Sequence, residues 1–228
     1  MAITRIGSNQ SINLASNITG TLPVANGGIG IASGTTDQFL KFTGTTTLAS
    51  AADNAGGLVL ISNNTIPGGG GEIDITNQFS SSYVNYRIIG SGINMATDNT
   101  QLRMRTLKES DDSQENASSY NYSIVGQRGA GNPVDDGGVN AAEYVIISNA
   151  ASTGQSINFD MTIYKPFVSG NYTSFTHICG GRRSGGDGHM TSGGGYLNQT
   201  TQYSGIKFYF SSGTISAGNI IVFGIKDS

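Results

Sequence analysis

Two histidines and one cysteine lie close together in the second half of the chain, where they could bind a metal ion. His177 and Cys179 are two residues apart in THIC, so they share a face if this stretch is a strand. Asp187 and His189 follow after a glycine-rich loop. Imidazole, thiolate and carboxylate are zinc ligands, but no second ligand pair repeats the spacing. We therefore expect no bound metal and no cofactor. The alternative is a three-fold axis that brings three copies of a histidine together.

A hydrolytic site is the second chemistry to consider. Serines are abundant and would allow many Ser-His-Asp sets, yet no GxSxG elbow is present to expose a nucleophile. A polysaccharide depolymerase would require paired carboxylates in the groove of a long β-helix, and the sequence indicates neither feature. We expect that the protein is not an enzyme.

The loop GGRRSGGDGH combines Arg182, Arg183 and Asp187 with several glycines. Forked guanidinium donors on such a loop could bind a carboxylate or a sugar acid. A plain surface loop and an intersubunit ion pair are the alternatives. Tyr120 and Tyr122 share one face of SYNYS, and exposed tyrosines can stack on sugars. Their alternative place is a subunit interface or the core.

An acidic run, ESDDSQE, begins at residue 109 and offers the carboxylates of Glu109, Asp111, Asp112 and Glu115. Carboxylates bind calcium, but this run lacks the spacing and the glycine of an EF-hand loop. A solvated hairpin loop is the favoured interpretation.

The composition limits the fold that must position these groups. Charged residues make up 12% of the chain and glycine contributes 34 residues, a mixture that favours strands and tight turns over helices. The net charge of −3 argues against nucleic-acid binding, which needs a basic surface. No run of about 18 apolar residues predicts a membrane helix. The N-terminal residues lack the apolar stretch of a secretory signal, so we expect synthesis in a cytoplasm.

The first 64 residues differ from the rest of the chain. They carry four charges and two aromatic residues, which is too little apolar material for a separate core. Such a segment can be ordered if copies from several chains wrap around one axis. The glycine run at 67–71 is typical of a hinge. We therefore predict an extended N-terminal attachment and trimerisation segment, residues 1–64, followed by a head domain, residues 65–228.

Residues after 65 alternate between apolar and polar with period two, the pattern of half-buried strands. About ten short strands separated by polar turns predict an all-β fold with a jelly-roll-like antiparallel β-sandwich. The apolar faces predict a core that contains Phe159, Met161, Ile163, Phe208, Phe210 and Phe223.

The sequence ITGTLPVANGGIG, residues 18–30, resembles a thread that recurs in bacteriophage fibre proteins as I-x-G-T-L-P-V-A-N-G-G-T-G, with Ile29 where threonine is common. Pro23 fixes an extended backbone, and the small residues after it allow chains to approach closely. The resemblance implies that virion attachment involves Leu22, Pro23, Val24, Asn26, Gly27 and Gly28.

Residues from about 79 to 226 resemble the C-terminal sandwich of phage fibre and virion-surface proteins. The matching pieces are NYRIIGSGINMATDNTQLRMRT and SGGGYLNQTTQYSGIKFYFSSGTISAGNIIVFGIK. The tryptophan usual near GGGY is missing, which leaves Tyr196 for the ring stack there.

Together the two resemblances imply a homotrimeric tail fibre or spike on a virion. Its N-terminal segment would bind other virion proteins of the tail or capsid, and its head would contact the host surface, including a host surface glycan. We expect neither nucleic-acid binding nor membrane insertion. A capsid-attached head fibre or decoration protein is the main alternative, and a lectin module that is not viral is a further one. Any receptor contact is predicted at Tyr120, Tyr122, Arg182, Arg183 or Asp187.

Overall fold

The fold is taken from a computed structural model. It describes residues 34–226 except positions 37, 46, 52–56, 99, 142–143, 146–152 and 183–185. The chain divides into two compact units, Met1–Ala55 and Gly56–Ser228. In the first unit, the strands β1 (Phe39–Phe42) and β2 (Leu48–Ala51) form an antiparallel hairpin. The predicted attachment thread, residues 18–30, lies outside the described residues.

The second unit is built from antiparallel strands, as the alternation predicts, and its described part contains no α-helix. A single 3₁₀ turn lies at Gly129–Gly131. Its strands are β3 (Leu58–Ile66), β4 (Glu72–Ile75), β5 (Asn85–Met95), β6 (Leu102–Lys108), β7 (Tyr120–Arg128), β8 (Asn132–Ala141), β9 (Tyr144–Val145), β10 (Ile157–Tyr164), β11 (Ser174–Arg182), β12 (Gly188–Leu197), β13 (Tyr203–Phe210) and β14 (Ile215–Ile225).

Two sheets share the core of this unit. The large sheet has eight strands in the order β3-β14-β5-β10-β11-β12-β7-β8, and the small sheet has four in the order β4-β13-β6-β9. Their inner faces contribute to one cluster of buried apolar side chains. Phe159 of the large sheet and Phe208 of the small sheet meet there, with ring centroids 5.0 Å apart. Each sheet therefore has one buried face and one outer face.

Five of the six predicted core residues are buried: Phe159, Met161, Ile163, Phe208 and Phe210. The sixth prediction, Phe223, is wrong by one residue. On β14 the buried positions are Ile215, Ile220, Val222 and Gly224, and Phe223 is half-buried on the opposite, outer face. A one-residue shift of this kind moves a whole set of side chains to the other face of a sheet.

The predicted domain boundary at residue 64 also needs correction. Leu58–Ile66 is a full strand of the large sheet and pairs with β14 near the end of the chain. The second unit therefore starts at Gly56. The run at 67–71 is a turn between β3 and β4 rather than a hinge between domains. Gly69 donates its backbone N–H to the carbonyl of Ile215 at 2.9 Å, which fixes this turn against β14.

A third correction concerns RGAGNPVDDGG, residues 128–138, whose glycines and proline predict one of the polar turns between strands. Most of it forms β8, which pairs with β7 at the edge of the large sheet. Pro133 and the glycines disfavour a central strand, but an edge strand tolerates them because one side of it needs no ladder partner. Edge placement therefore explains why turn-rich composition misled the prediction.

Candidate functional site

The stretch GGRRSGGDGH includes the end of β11 and the start of β12, which pair with each other as far as Arg182 and Gly188. Arg182 ends β11, is exposed, and donates from Nε to the carbonyl of Gly186 at 3.3 Å. Asp187 is also exposed, and Arg183 lies outside the described residues. The structure thus leaves Arg182 and Asp187 accessible to a partner, as a receptor contact requires.

The two tyrosines of SYNYS occupy different surroundings from those predicted for a receptor contact. Tyr120 is fully buried, and its hydroxyl accepts the backbone N–H of Thr106 at 2.9 Å. Tyr122 is half-buried and packs edge-on against Tyr144 in the core. Both rings face inward because β7 turns this side of its alternation toward the small sheet. They correspond to the core alternative and do not fit the predicted sugar contact.

The burial of Tyr120 and of two other tyrosines, Tyr86 and Tyr203, predicts that the protein loses stability at alkaline pH. Burial raises the pKa of Tyr120 from its ordinary value of 10.0 to about 12, and it also raises the pKa values of Tyr86 and Tyr203. The Tyr120 phenol therefore ionises at a lower pH in the unfolded chain than in the folded one. The free energy of unfolding should be at its full value below pH 10 and should fall as pH rises from 10 toward 12. Urea unfolding across this range measures the decline.

The Tyr120→Phe variant tests the assignment, because phenylalanine cannot ionise. It should be less stable at neutral pH, since the N–H of Thr106 loses its acceptor, and its stability should fall less steeply above pH 10. The exposed Tyr172 provides the control: Tyr172→Phe should keep the slope of the parent protein. Equal slopes for all three proteins would contradict the prediction.

The histidines and the cysteine lie on the inner face of the large sheet. His177 and Cys179 point inward from β11, as their two-residue spacing predicts, and His189 is buried on the neighbouring β12. His177 contacts the hydroxyl of Tyr144. Burial raises the pKa of the Cys179 thiol, which keeps the sulfur protonated. Within the described ranges, no three or more His, Cys, Asp or Glu side chains are grouped to hold a metal ion.

The acidic run forms the connection between β6 and β7. Asp111 accepts the backbone N–H of Ser113 at 3.0 Å. Hydrogen bonds from the side chain and then from the backbone of Ser113 lower the pKa of the Asp111 carboxyl. Glu115 is buried; it accepts the hydroxyl hydrogen bond of Tyr203 at 3.3 Å and lies 3.9 Å from the ammonium of Lys108. The run therefore carries turn and core contacts, which suits a hairpin connection better than a calcium loop.

The outer faces of the two sheets differ in chemistry. On the small sheet, Lys207 bonds to Glu72 and lies 3.3 Å from Asp74. Burial favours a lower pKa for Lys207, but the two carboxylates outweigh it and raise the pKa. Arg105 lies over the ring of Tyr209, 5.3 Å from its centroid. This outer face therefore carries a buried lysine held by two carboxylates and an arginine stacked on a tyrosine ring.

The outer face of the large sheet is more mixed and includes residues that sequence reasoning did not single out. Near its centre Arg87 on β5 faces Asp160 on β10, with two hydrogen bonds between guanidinium and carboxylate, one of 2.9 Å. This pairing raises the pKa of Arg87. The pair lies beside an open depression of about 560 Å³ that also includes Thr162, Thr176 and Ser192. Opposite charges in the middle of two alternating strands were the available sequence signal.

Two groups of exposed and half-buried side chains flank this depression. One is an apolar edge, defined here as Leu58 and Leu60 of β3 with Phe223 and Ile225 of β14, which are cross-strand neighbours. Leu58 and Leu60 are 43% and 59% exposed. The other is a tyrosine end, defined as Tyr164, Tyr172 and Tyr196, all of them exposed. Both groups are available for contact with a partner.

The chain matches no protein-family model, no curated protein and no solved structure. No helix in the described part of the chain is long and apolar enough to cross a membrane.

Proposed function

We propose that this chain is a structural protein of a bacteriophage virion, a homotrimeric fibre or spike with a jelly-roll-like head. In this proposal the extended segment that contains Leu22, Pro23 and Val24 attaches the protein to the tail or capsid. The head then faces outward and contacts the host surface. Antiparallel sheets with a shared core and the phage-like thread in the sequence support this role.

The main structural support for a trimer is the exposure of the apolar edge. Leu58 and Leu60 lie on β3, an edge strand of the large sheet, and remain exposed beside Phe223 and Ile225. An exposed apolar edge strand promotes unwanted pairing, and proteins usually cover or charge such edges. Another copy of the chain would cover the apolar side chains and remove this liability.

We expect the purified protein to have a mass of three times 23.6 kDa by light scattering. Replacement of Leu58 and Leu60 together by glutamate should shift this mass toward that of the monomer, because six charges would then be forced into an apolar interface of the trimer. The matched control is Val125→Glu, a charge placed at another exposed aliphatic position, on β7. That variant should remain trimeric.

A monodisperse monomer of the parent protein would refute the trimer. A double variant that stays trimeric would instead refute the apolar edge as the interface. Labelling of virus particles with an antibody against this protein then tests the attachment: label on tails supports a tail fibre, label on capsids supports a head fibre, and no label would refute a virion protein.

A further inference from the structure

We propose that the tyrosine end and the adjoining depression form a binding site for a neutral oligosaccharide. The inference deepens the proposed host contact and rests on it for its biological role. Leu58 and Ile225 of the apolar edge line one side of the depression, so the contact is assigned to the tyrosine end and to the polar groups next to it. It assigns the contact to Tyr164, Tyr172 and Tyr196, not to Tyr120 and Tyr122, which face the core.

The register of the large sheet places these tyrosines together. Tyr164 on β10 pairs with Ser174 on β11, and Ser174 pairs with Tyr196 on β12, so all three lie in one row across the sheet. Because neighbouring strands are about 4.8 Å apart, the backbones that carry Tyr164 and Tyr196 are separated by about 10 Å. The small side chain of Ser174 lies between them. The row therefore places a small side chain between two rings, over a width that two linked sugar rings can span.

The loop before β11 adds a third ring. Tyr172 is 56% exposed and Tyr196 is 44% exposed, and their ring centroids are 6.1 Å apart with the planes tilted by 59°. Exposed rings of this kind present an apolar face to the C–H groups of a sugar and a hydroxyl to its polar edge. Exposure of both rings is unfavourable without such a partner, since each leaves a large apolar surface in water.

Polar groups continue from the tyrosines into the depression. Tyr164 and Thr176 place their hydroxyl oxygens 3.4 Å apart, and Thr162 is the cross-strand partner of Thr176. Next to Thr162 on the neighbouring strand is Arg87, which bonds to Asp160. Hydroxyls and a forked ion pair offer both donors and acceptors, as the hydroxyl groups of a saccharide require. In a concave site, a small number of well-placed polar groups usually fixes the orientation of a small ligand.

The charge of the site selects the class of saccharide. The guanidinium of Arg87 and the carboxylate of Asp160 neutralise one another through two hydrogen bonds. Among the described residues that line the depression, these two opposite charges balance, and His177, which also lines it, contacts the hydroxyl of Tyr144. A protein partner would instead favour a continuous apolar centre with a polar rim. Here one exposed aliphatic side chain, Ile178, is surrounded by the ion pair, two threonines and Ser192. A neutral oligosaccharide matches this pattern best.

The test uses the full chain and three neutral hexasaccharides, an α-linked glucose hexamer, a β-linked glucose hexamer and an N-acetylglucosamine hexamer. Saturation-transfer NMR detects even weak binding to the protein, and titration gives the affinity. We expect at least one hexasaccharide to bind, and the variant with Tyr172→Ala and Tyr196→Ala to bind at least about tenfold more weakly, the equivalent of 1.4 kcal/mol.

The control is Tyr209→Ala, which removes a half-buried tyrosine from the outer face of the small sheet and should leave affinity unchanged. Thermal unfolding shows that each variant is folded, and Tyr196→Phe, which keeps the ring, should retain most of the binding. Two outcomes would overturn the proposal: no hexasaccharide binds, or the double variant binds as well as the parent. Trimerisation, measured separately, distinguishes this failure from failure of the fibre.

Discussion

Phe208→Ala should lower the free energy of unfolding by about 3–5 kcal/mol. Phe208 lies on β13, is fully buried, and packs against Phe159 from the opposite sheet at 5.0 Å between ring centroids. Truncation to alanine removes the ring from the contact that joins the two sheets and leaves a cavity that rigid strands on both sides cannot fill. Urea unfolding followed by circular dichroism measures the loss.

The comparison that gives this value meaning is Phe223→Ala. Both variants remove the same ring, but Phe223 is half-buried on the outer face of the large sheet. Less apolar surface is then returned to water and little cavity forms, so the loss should be about 1 kcal/mol or less when both alanine variants are made in the Leu58→Glu, Leu60→Glu background, which we expect to be monomeric. A loss at Phe223 equal to the loss at Phe208 would show that the assignment of faces on β14 is wrong.

The error at Phe223 shows where sequence alternation fails. Residues 220–225 read IIVFGI, with apolar side chains on both faces, so the pattern alone does not determine which face is buried. The large ring of Phe223 favours burial of the face with Ile221 and Ile225, and Gly224, which has no side chain, disfavours burial of the opposite face. In the fold, the ring of Tyr83 occupies the space that a side chain at 224 would need, at 2.5 Å from an added Cβ. The space above Gly224 is thus filled by Tyr83, a residue more than a hundred positions earlier in the sequence.

Long-range pairing also explains the missed strand β3. The residues around it have the low charge of the N-terminal segment, and its first partner in the sheet, Ile225, is near the end of the chain. No local pattern reports such a pairing. By contrast, the sequence predicts β10 over its full length, Ile157–Tyr164. Its apolar residues alternate strictly with polar ones, and the strand lies inside the sheet with one face on the core, so the local pattern and the fold agree.

The same limit applies to the candidate binding site. Arg182 and Asp187 stand out in sequence because they lie in one loop, and the structure leaves both exposed. Arg87, Asp160 and Tyr196 belong to three strands that are far apart in the sequence. Only the pairing of the strands in the sheet brings them to one surface. Tyr120 and Tyr122 misled the prediction because SYNYS alternates without an aliphatic residue that would mark the inner face.

The glycines of GGGY have a structural reason that their sequence does not reveal. Gly193, Gly194 and Gly195 lie within β12, between its neighbours β11 and β7, rather than in a turn. A Cβ added at Gly193 would lie 2.4 Å from the side chain of Ile124, and one added at Gly195 would lie 2.1 Å from the backbone oxygen of Asn121. The strands can therefore approach one another only because side chains are missing here.

Gly195→Ala should accordingly lower the free energy of unfolding by about 3 kcal/mol, the upper part of the range for overpacked sites, because backbone atoms must move to admit the methyl group. The added Cβ would also lie 2.8 Å from the Cα of Tyr122. Gly188→Ala on the same strand is the matched control, since an added Cβ there has no heavy atom within 4 Å and the backbone does not require glycine. Its stability should equal or slightly exceed that of the parent, as the unfolded chain loses freedom. Thermal and urea unfolding compare the two variants. If Gly195→Ala proved as stable as Gly188→Ala, then close packing of β12 on β7 would not be what holds this part of the large sheet together.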